Sequence, residues 1–239
     1  MAALLDVVAF KGIKPAELDH IESRSQMIEF RDGKRIFGEG DTADAVYVIV
    51  AGDGHVRIGA IDRSSKGIMI EICRVGDIFG EVAVIDGSPR TLDAVAEGRI
   101  RLLRINSQVF LDVLHTNPML GANLCRIFAA RLRRTFALFQ DATFESLEIR
   151  LARQVLYLAK REGRRTEQGL QLAGRFRQND LADLLGATTR SIITVLNAWR
   201  ASGLVIYEPA RAQLTICREE DLQGLAERDR PGVTHSGLS

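Results

Sequence analysis

The chain has 239 residues, of which 46% are hydrophobic and 26% are charged. This is the composition of an ordinary water-soluble folded protein, and the length favours two compact domains over one. The apolar N-terminal stretch is interrupted by Asp6 and Lys11 too early for a signal peptide, and no run approaches the length of a membrane span. We therefore expect a cytoplasmic protein without a membrane partner.

The cysteines and histidines argue against a metal cofactor and against disulfide bonds. Cys73, Cys125 and Cys217 are far apart and form no CxxC pair. None of the four histidines lies at metal-ligand spacing from another. We expect reduced structural thiols and no metal site.

The net charge of +1 conceals an uneven distribution. Residues 146–218 contain twelve Arg and Lys against six acidic residues, whereas residues 1–145 contain 18 against 20 and residues 219–239 two against five. A basic second half favours an anionic polymer such as nucleic acid as the partner. A solvated cationic face is the alternative with the same composition.

The first half of the chain reads as an all-β module after an opening helix over Pro15–Ser23. Between residues 27 and 106, short β-rich runs such as AVYVIV (45–50), IMIEIC (68–73) and IRLLRI (100–105) are separated by glycine-containing turns. Such spacing is typical of an antiparallel barrel or jelly roll.

From Pro118 the apolar period changes to that of a helix, and no Pro or Gly follows Gly121 for about thirty residues. The apolar stripe is too wide for one coiled-coil seam, so one side should pack on the β module and the other on a partner chain. A helix that packs only within its own chain is the alternative. The stripe consists of Leu120, Leu124, Ile127, Phe128, Leu132, Phe136 and Phe139.

The remainder of the chain has the layout of a winged helix-turn-helix domain. We predict a helix over Leu147–Glu162, a loop over Arg161–Gly169, two helices across Asn179–Ser202 and paired strands at LVIYEP and AQLTIC. The predicted fold class is therefore α+β, with an N-terminal double-stranded β-roll (jelly roll), a long dimerisation helix and a C-terminal winged helix-turn-helix. The predicted segments are 1–117 for the β-roll, 118–145 for the helix, 146–220 for the winged domain and 221–239 for a flexible tail.

The segment FGEVAVIDGSPRTLDA (79–94) has the chemistry of a nucleotide site. Gly80 permits a tight backbone approach, and the following residues can form a helical turn whose free amides point at an anion. Arg90 offers a guanidinium fork for phosphate, and Thr91 adds a hydroxyl and an amide. Glu81 would repel phosphate but suits a sugar hydroxyl. An ion pair between Glu81 and Arg90 that only ties two strands is the alternative.

This segment is similar to the phosphate-binding cassette of cyclic-nucleotide-binding domains, with Gly80, Glu81, Ala83, Pro89, Arg90 and Thr91 in register. Over residues 4–220 the chain resembles the CRP/FNR family of bacterial regulators, and residues 36–52 form a second matching block. The resemblance implies a cAMP- and/or cGMP-dependent transcription factor that binds palindromic double-stranded promoter DNA as a homodimer and meets RNA polymerase, with residues 161–169 as the candidate polymerase contact.

The resemblance also implies how the nucleotide is held. Glu81 would accept from the ribose 2′-hydroxyl, and Thr135 on the long helix would reach the base. Phe136 replaces a hydroxyl that reads adenine, and Thr91 matches the threonine of cGMP-responsive cassettes, so cAMP is the first choice with cGMP or dual binding as alternatives. The expected cyclic-nucleotide-binding residues are Gly80, Glu81, Val82, Ala83, Arg90, Thr91, Arg131 and Thr135. We expect Arg90→Leu to abolish the nucleotide response and leave the fold intact, because the site should be partly open.

Residues 179–204 carry the helix-turn-helix pattern. Gly186 suits the turn, Thr188 can cap the second helix, and that helix has an apolar face and a face of arginine and short hydroxyls that fits a major groove. By family position the base-reading trio is Thr189, Arg190 and Thr194, where cAMP-responsive relatives have Arg, Glu and Arg, so the operator should differ.

Arg190 could bind guanine with two hydrogen bonds, or contact only the DNA backbone, and an exposed Ile193 could touch a thymine methyl. The expected DNA-binding residues are Arg177, Gln178, Asn179, Thr188, Thr189, Arg190, Ile193 and Thr194.

Two other classes of function compete with this interpretation. A ligand-independent DNA-binding regulator could use the β-roll only as a dimerisation scaffold. An enzyme is poorly supported, because the cassette has one carboxylate and no metal set, nucleophile–base pair or P-loop. We therefore expect binding without turnover.

Overall fold

The structure is a computed structural model that describes residues 3–61 and 67–227. It comprises two compact units, which divide in sequence between Arg133 and Arg134. The first unit is dominated by strands and the second by helices and a small sheet, which confirms the α+β fold class.

The first unit contains two four-stranded antiparallel sheets. The strands are β1 (Ser25–Phe30), β2 (Arg35–Phe37), β3 (Ala45–Gly52), β4 (His55–Ile61), β5 (Gly67–Cys73), β6 (Ile78–Phe79), β7 (Asp93–Glu97) and β8 (Ile100–Asn106). One sheet has the order β1-β8-β3-β6 and the other the order β2-β7-β4-β5.

Strand β3 has a continuous apolar sequence because both of its faces are buried. Val46 and Val48 pack in a core with the helices of this unit, whereas Tyr47 and Ile49 pack in a second core between the sheets. A strand that is buried on both faces reads as a continuous hydrophobic run. The three strands predicted from apolar runs are all present.

Helices α1 (Pro15–Ser23), α2 (Glu81–Asp86) and α3 (Ser107–Thr116) also belong to the first unit. The opening helix was predicted with these bounds. Helix α3 was not predicted; it begins where the side chain of Asn106 accepts a hydrogen bond from the backbone N–H of Gln108 at 2.9 Å.

The predicted long helix is α4 (Pro118–Phe144). Its first turns bury Leu120 and Leu124 in the core of the first unit. The Asn123 side-chain amide donates to the carbonyls of Ala9 and Lys11 at 3.1 and 2.8 Å, which holds the N-terminal segment against the helix. None of the helices in the described part of the chain is long and apolar enough to cross a membrane.

The second unit contains helices and one four-stranded sheet in the order β11-β12-β10-β9. Its elements are α5 (Leu147–Glu162), β9 (Gly163–Thr166), β10 (Gly169–Leu172), α6 (Gln178–Leu185), α7 (Thr189–Ala201), β11 (Val205–Glu208), β12 (Gln213–Ile216) and α8 (Glu219–Ala226). The predicted helices and the final strand pair are confirmed.

Two predictions for the second unit are corrected. The loop expected over residues 161–169 is instead the end of α5 and most of the β9–β10 hairpin, which joins the final strands because β10 pairs with β12. The tail expected from residue 221 begins inside α8, where Leu222, Leu225 and Ala226 are buried at helical spacing. The rest of the predicted tail, residues 228–239, lies outside the described residues.

Candidate functional site

The cassette is built around the turn between β6 and α2. Gly80 has φ +76° and precedes the first residue of α2. A Cβ atom at this position would lie 2.8 Å from Nη1 of Arg90 and 3.2 Å from the ring of Phe37. Glycine is therefore required both for the left-handed conformation and for the close approach of Arg90.

Glu81 begins α2 and is a buried carboxylate, with 1% of the residue exposed. One oxygen, Oε1, accepts a hydrogen bond from Nη1 of Arg131 on α4. The other oxygen, Oε2, is buried and has no hydrogen-bond partner among the described residues. The first unit thus holds an acceptor oxygen that a ligand hydroxyl could satisfy.

Arg131 binds Glu81 in a site that is rich in acceptors. Its Nε lies 3.0 Å from Oε2 of Glu71 on β5, and its Nη2 donates to the carbonyl of Ile78 at 2.7 Å. Burial lowers the pKa of Arg131, but the carboxylates of Glu81 and Glu71 outweigh burial and raise that pKa above its ordinary value. Arg131 therefore stays charged, and Glu81 pairs with it rather than with Arg90.

Arg90 is buried more deeply than a partly open site would allow, with 3% of the residue exposed. Its Nη1 and Nη2 donate to the carbonyls of Gly80 and Ala45 at 2.5 and 2.6 Å, and its guanidinium lies 4.2 Å from the centre of the Phe37 ring. Burial lowers the pKa of Arg90. The Nη2 atom also lies 4.0 Å from Oδ1 of Asp44, whereas Nε is buried and has no hydrogen-bond partner among the described residues. The guanidinium therefore keeps an unsatisfied N–H donor in the cassette.

The other residues of the predicted nucleotide site differ in exposure. Thr91 and Val82 are exposed, and Ala83 is buried. Thr135 is an exposed residue of the second unit, and its predicted contact with the base remains a prediction. Within the described residues no group of three metal-ligating side chains occurs.

The two helices of the helix-turn-helix have capped ends. The backbone N–H of Arg177 donates to Oδ2 of Asp180 at 2.7 Å at the start of α6, and Gly186 ends that helix with φ +58°. The Thr188 hydroxyl oxygen accepts from the backbone N–H of Ser191 at 3.2 Å and caps α7 as predicted. Trp199, on the buried face of α7, donates from Nε1 to Glu148 of α5 at 3.0 Å.

On the outer face of α7, the predicted base-reading side chains differ in exposure and in the hydrogen bonds that they already make. Arg190 is exposed, and no hydrogen bond or ion pair involves its side chain among the described residues. The Thr189 hydroxyl donates to Oδ1 of Asn179 at 2.9 Å, and the Thr194 hydroxyl donates to the carbonyl of Arg190 at 3.0 Å. Ile193 is half-buried rather than exposed, because it lies beside the core face of the helix.

Glu71 is a residue of the cassette's surroundings that sequence reasoning missed. It is the one charged residue in the otherwise apolar run IMIEIC. A charged side chain within an apolar strand indicates that an oppositely charged side chain lies beside it. For Glu71 that side chain is Arg131. The identity of the partner depends on the fold, since 60 residues separate the two side chains.

The fold and the two sites define a class of protein: a regulator in which a nucleotide-type cassette in a β-roll is joined through a long helix to a winged helix-turn-helix. Comparison with protein families agrees. Residues 27–117 match the cyclic nucleotide-binding domain, and residues 149–225 match the Crp-like helix-turn-helix domain.

Curated relatives cover nearly the whole chain. A CRP-like cAMP-activated global transcriptional regulator of Mycobacterium tuberculosis is 27% identical over 221 residues, which is 92% of this chain and 96% of that protein. A cyclic AMP receptor protein of Thermus thermophilus is 28% identical over 205 residues, which is 86% of this chain and 91% of that protein. The chain belongs to the CRP/FNR family of transcriptional regulators.

Solved structures show the same fold. FixK2 from Bradyrhizobium japonicum aligns with a TM-score of 0.74 at 20% identity and covers 86% of this chain and 98% of its own. The c-di-GMP responsive regulator CLP of Xanthomonas campestris aligns with a TM-score of 0.72 at 19% identity and covers 85% of this chain and 99% of its own.

Proposed function

We propose that the protein is a cyclic-nucleotide-dependent transcription factor that binds palindromic promoter DNA as a homodimer. The observation that carries the proposal is the buried Glu81 carboxylate, whose Oε2 lacks a partner within the described residues. An orphaned buried acceptor is costly unless a ligand donor satisfies it. A ribose hydroxyl is such a donor.

The remaining cassette residues suit the cyclic phosphate. The buried Nε of Arg90 has no hydrogen-bond partner among the described residues, and Thr91 and the amides of Val82 and Ala83 lie in the same segment. The names of the relatives from M. tuberculosis and T. thermophilus support cAMP as the first choice. Phe136 and Thr91 keep cGMP or dual binding as the alternative. Arg131 and Thr135 complete the proposed site from α4.

Homodimerisation is supported by the exposed apolar residues of α4. Leu132, Phe136 and Phe139 are 54%, 57% and 72% exposed. Large apolar side chains clustered on one helix are costly in water and mark an interaction surface. A second copy of the same helix offers the same surface, and a two-fold dimer requires a palindromic site.

Two sets of side chains are proposed to contact DNA. The phosphate contacts are Arg177, Gln178, Asn179 and Thr188. The base-reading surface is the outer face of α7, with Thr189, Arg190, Ile193 and Thr194.

The protein acts in the cytoplasm with RNA polymerase as a further partner and performs no chemical reaction. The proposed segment boundaries are 1–117, 118–145 and 146–220.

A second candidate function is favoured by a specific observation. Arg131 binds Oε1 of Glu81, and Arg90 donates hydrogen bonds to two backbone carbonyls. These contacts would let the β-roll serve only as a scaffold for a ligand-independent DNA-binding regulator.

Calorimetry with cAMP and with cGMP distinguishes the two candidates. We expect binding heat with at least one nucleotide, loss of that heat in Glu81→Gln, and no loss in the control Glu29→Gln, whose side chain is 49% exposed on β1. A gel shift on palindromic promoter DNA should show tighter binding with the nucleotide that gives heat. No heat with either nucleotide, together with unchanged DNA binding, would establish the scaffold function instead.

A further inference from the structure

We infer that Thr189 does not read a base but positions Asn179 to bind a DNA phosphate, which leaves Arg190 as the reader of bases through hydrogen bonds. The inference rests on the proposed DNA binding and changes the role of one member of the proposed base-reading trio. It concerns the junction where the first turns of α6 and α7 meet.

The contact that carries the inference joins the two helices. Asn179 is exposed in the first turn of α6, and Thr189 is the half-buried first residue of α7. The Thr189 hydroxyl donates to Oδ1 of Asn179 at 2.9 Å. A hydroxyl has one hydrogen to donate, so this bond uses the donor with which Thr189 could have read an acceptor on a base.

The same bond sets the orientation of the Asn179 amide. With Oδ1 held by Thr189, the Nδ2 group and its two N–H donors lie on the other branch of the amide. A phosphate oxygen accepts hydrogen bonds and cannot donate them, so it needs Nδ2 rather than Oδ1. Without Thr189 the amide could rotate and present its carbonyl, which repels phosphate.

The neighbouring hydroxyl cannot replace Asn179. Thr188 uses its oxygen to cap α7 through the Ser191 backbone N–H and shares a hydrogen bond of 2.8 Å with the Ser191 hydroxyl. Asn179 is therefore the exposed uncharged donor at this junction, beside the exposed Arg177 at the start of α6. Phosphate contacts of this kind fix the register of a protein on DNA without carrying sequence information.

Thr194 is also limited as a reader. Its hydroxyl donates to the Arg190 carbonyl at 3.0 Å within the same helix, which leaves an acceptor oxygen and a methyl group on the exposed face. The methyl group suits a thymine methyl. Of the three proposed base-reading residues, Arg190 is therefore the one that donates hydrogen bonds to base edges.

Positioning and base reading predict different results for the isosteric variant Thr189→Val, which keeps the shape of the side chain and removes its hydroxyl. In the presence of cAMP or cGMP, wild type and variant are each used to select duplexes from a randomised library. Each selected duplex and its single-base-pair substitutions are then titrated by fluorescence anisotropy. We expect the same selected consensus for both proteins, and a loss of about three- to tenfold in affinity that is equal on every duplex.

Two further variants test the mechanism. Thr189→Ser keeps the donor and should bind within about twofold of wild type, because one lost methyl matters less than the hydrogen bond. Asn179→Ala combined with Thr189→Val should be no worse than Asn179→Ala alone, since both changes remove the same phosphate contact. Thermal unfolding of each variant, followed by the fluorescence of Trp199, checks that the second unit is intact.

The outcome that overturns the inference is loss of discrimination at one base pair in Thr189→Val, because that marks a base contact. Additive losses in the double variant would also overturn it. If wild type enriches no sequence at all, the proposed function fails together with the inference; if wild type enriches a palindrome and the variant changes one position of it, only the inference fails.

Discussion

The guanidinium of Arg131 binds the carboxylate of Glu81 across the first unit, and the two side chains differ in exposure. The side chain of Glu81 is 1% exposed and that of Arg131 is 24% exposed. The pair thus consists of a fully buried anion and a cation that still meets solvent. Removing Arg131 and removing Glu81 should therefore affect the stability of the fold differently.

Arg131→Ala should destabilise the fold by about 3 kcal/mol, because it leaves a buried carboxylate without its charge partner. The double variant Arg131→Ala with Glu81→Gln should recover part of this loss, since the uncompensated charge is gone. Urea unfolding followed by circular dichroism measures both. Equal losses in the single and double variants would show that the loss does not come from the uncompensated charge of Glu81.

Arg90→Leu should lose the nucleotide response and also stability. The carbonyls of Gly80 and Ala45 would each lose a donor inside the β-roll, at about 1–3 kcal/mol for each unsatisfied group. The expectation from sequence was that the fold would stay intact because the site should be partly open; the burial of Arg90 leads to a different prediction. Thermal unfolding with and without 1 mM cAMP or cGMP, about a thousandfold above a typical micromolar Kd, measures both effects. Arg101→Leu, an exposed change on β8, is the control, and an unchanged melting temperature for Arg90→Leu would contradict the prediction.

The stability of the first unit should fall in alkaline solution because of Cys73. Burial, with a smaller contribution from the carboxylate of Glu71, raises the pKa of the Cys73 thiol well above its ordinary value. A raised folded-state pKa contributes stability that is complete below the unfolded-state pKa and is lost as pH rises above it. The loss should begin above roughly pH 8.5 and approach about 1.4 kcal/mol per pH unit for this one group.

Urea unfolding of wild type and Cys73→Ala at pH 7.5 and pH 10 tests this dependence. The difference in unfolding free energy between the two proteins should shrink at the higher pH. A constant difference would show that the thiol ionises equally in the folded and unfolded chains.

A homodimer built on α4 should form a disulfide between the two Cys125 residues on oxidation. Cys125 is exposed and precedes the exposed Leu132 and Phe139 by seven and fourteen residues. Heptad spacing places these side chains on one seam, where equivalent residues of two parallel helices meet at the two-fold axis.

Oxidation with copper phenanthroline in air, followed by non-reducing electrophoresis, should give a species of twice the monomer mass in Cys73→Ser/Cys217→Ser and none when Cys125→Ser is added. A dimer in sedimentation without this crosslink would place the interface elsewhere.

Arg190→Ala should change the preferred operator more than the salt dependence of binding. A guanidinium bound to guanine contributes about 1–3 kcal/mol of discrimination at one base pair. Arg177→Ala, at a proposed phosphate contact, is the matched control and should lower the salt slope by about one with no change of consensus. A uniform loss on all DNA for Arg190→Ala would mark it as a backbone contact instead.

Some of the candidate site could be predicted from local pattern alone. Gly80, Glu81 and Arg90 stand within one short segment, so their spacing was enough to predict a tight turn, an acceptor and a cation in one cassette. The helix-turn-helix could also be predicted from the sequence, because the apolar spacing of α7 and the turn at Gly186 are local properties.

Two of the elements that were not predicted, β9 and α8, have weak local patterns. Strand β9 has the sequence GRRT, which lacks the apolar alternation of a strand and forms because β10 pairs with both β9 and β12. Helix α8 is eight residues long, too short for a strong periodic pattern, and is stabilised by burial of Leu222 and Leu225.

The amino-acid sequence by itself determined the fold class, the order of the elements and the chemistry of the cassette, because hydrophobic period, glycine placement and motif spacing act over a few residues. Only the tertiary structure decided how the charges are paired and which hydroxyls are free. Glu81 meets Arg131 rather than Arg90, and Thr189 bonds to Asn179, because these partners are 50 and ten residues apart and come together only when α4 packs on the β-roll and α7 packs on α6.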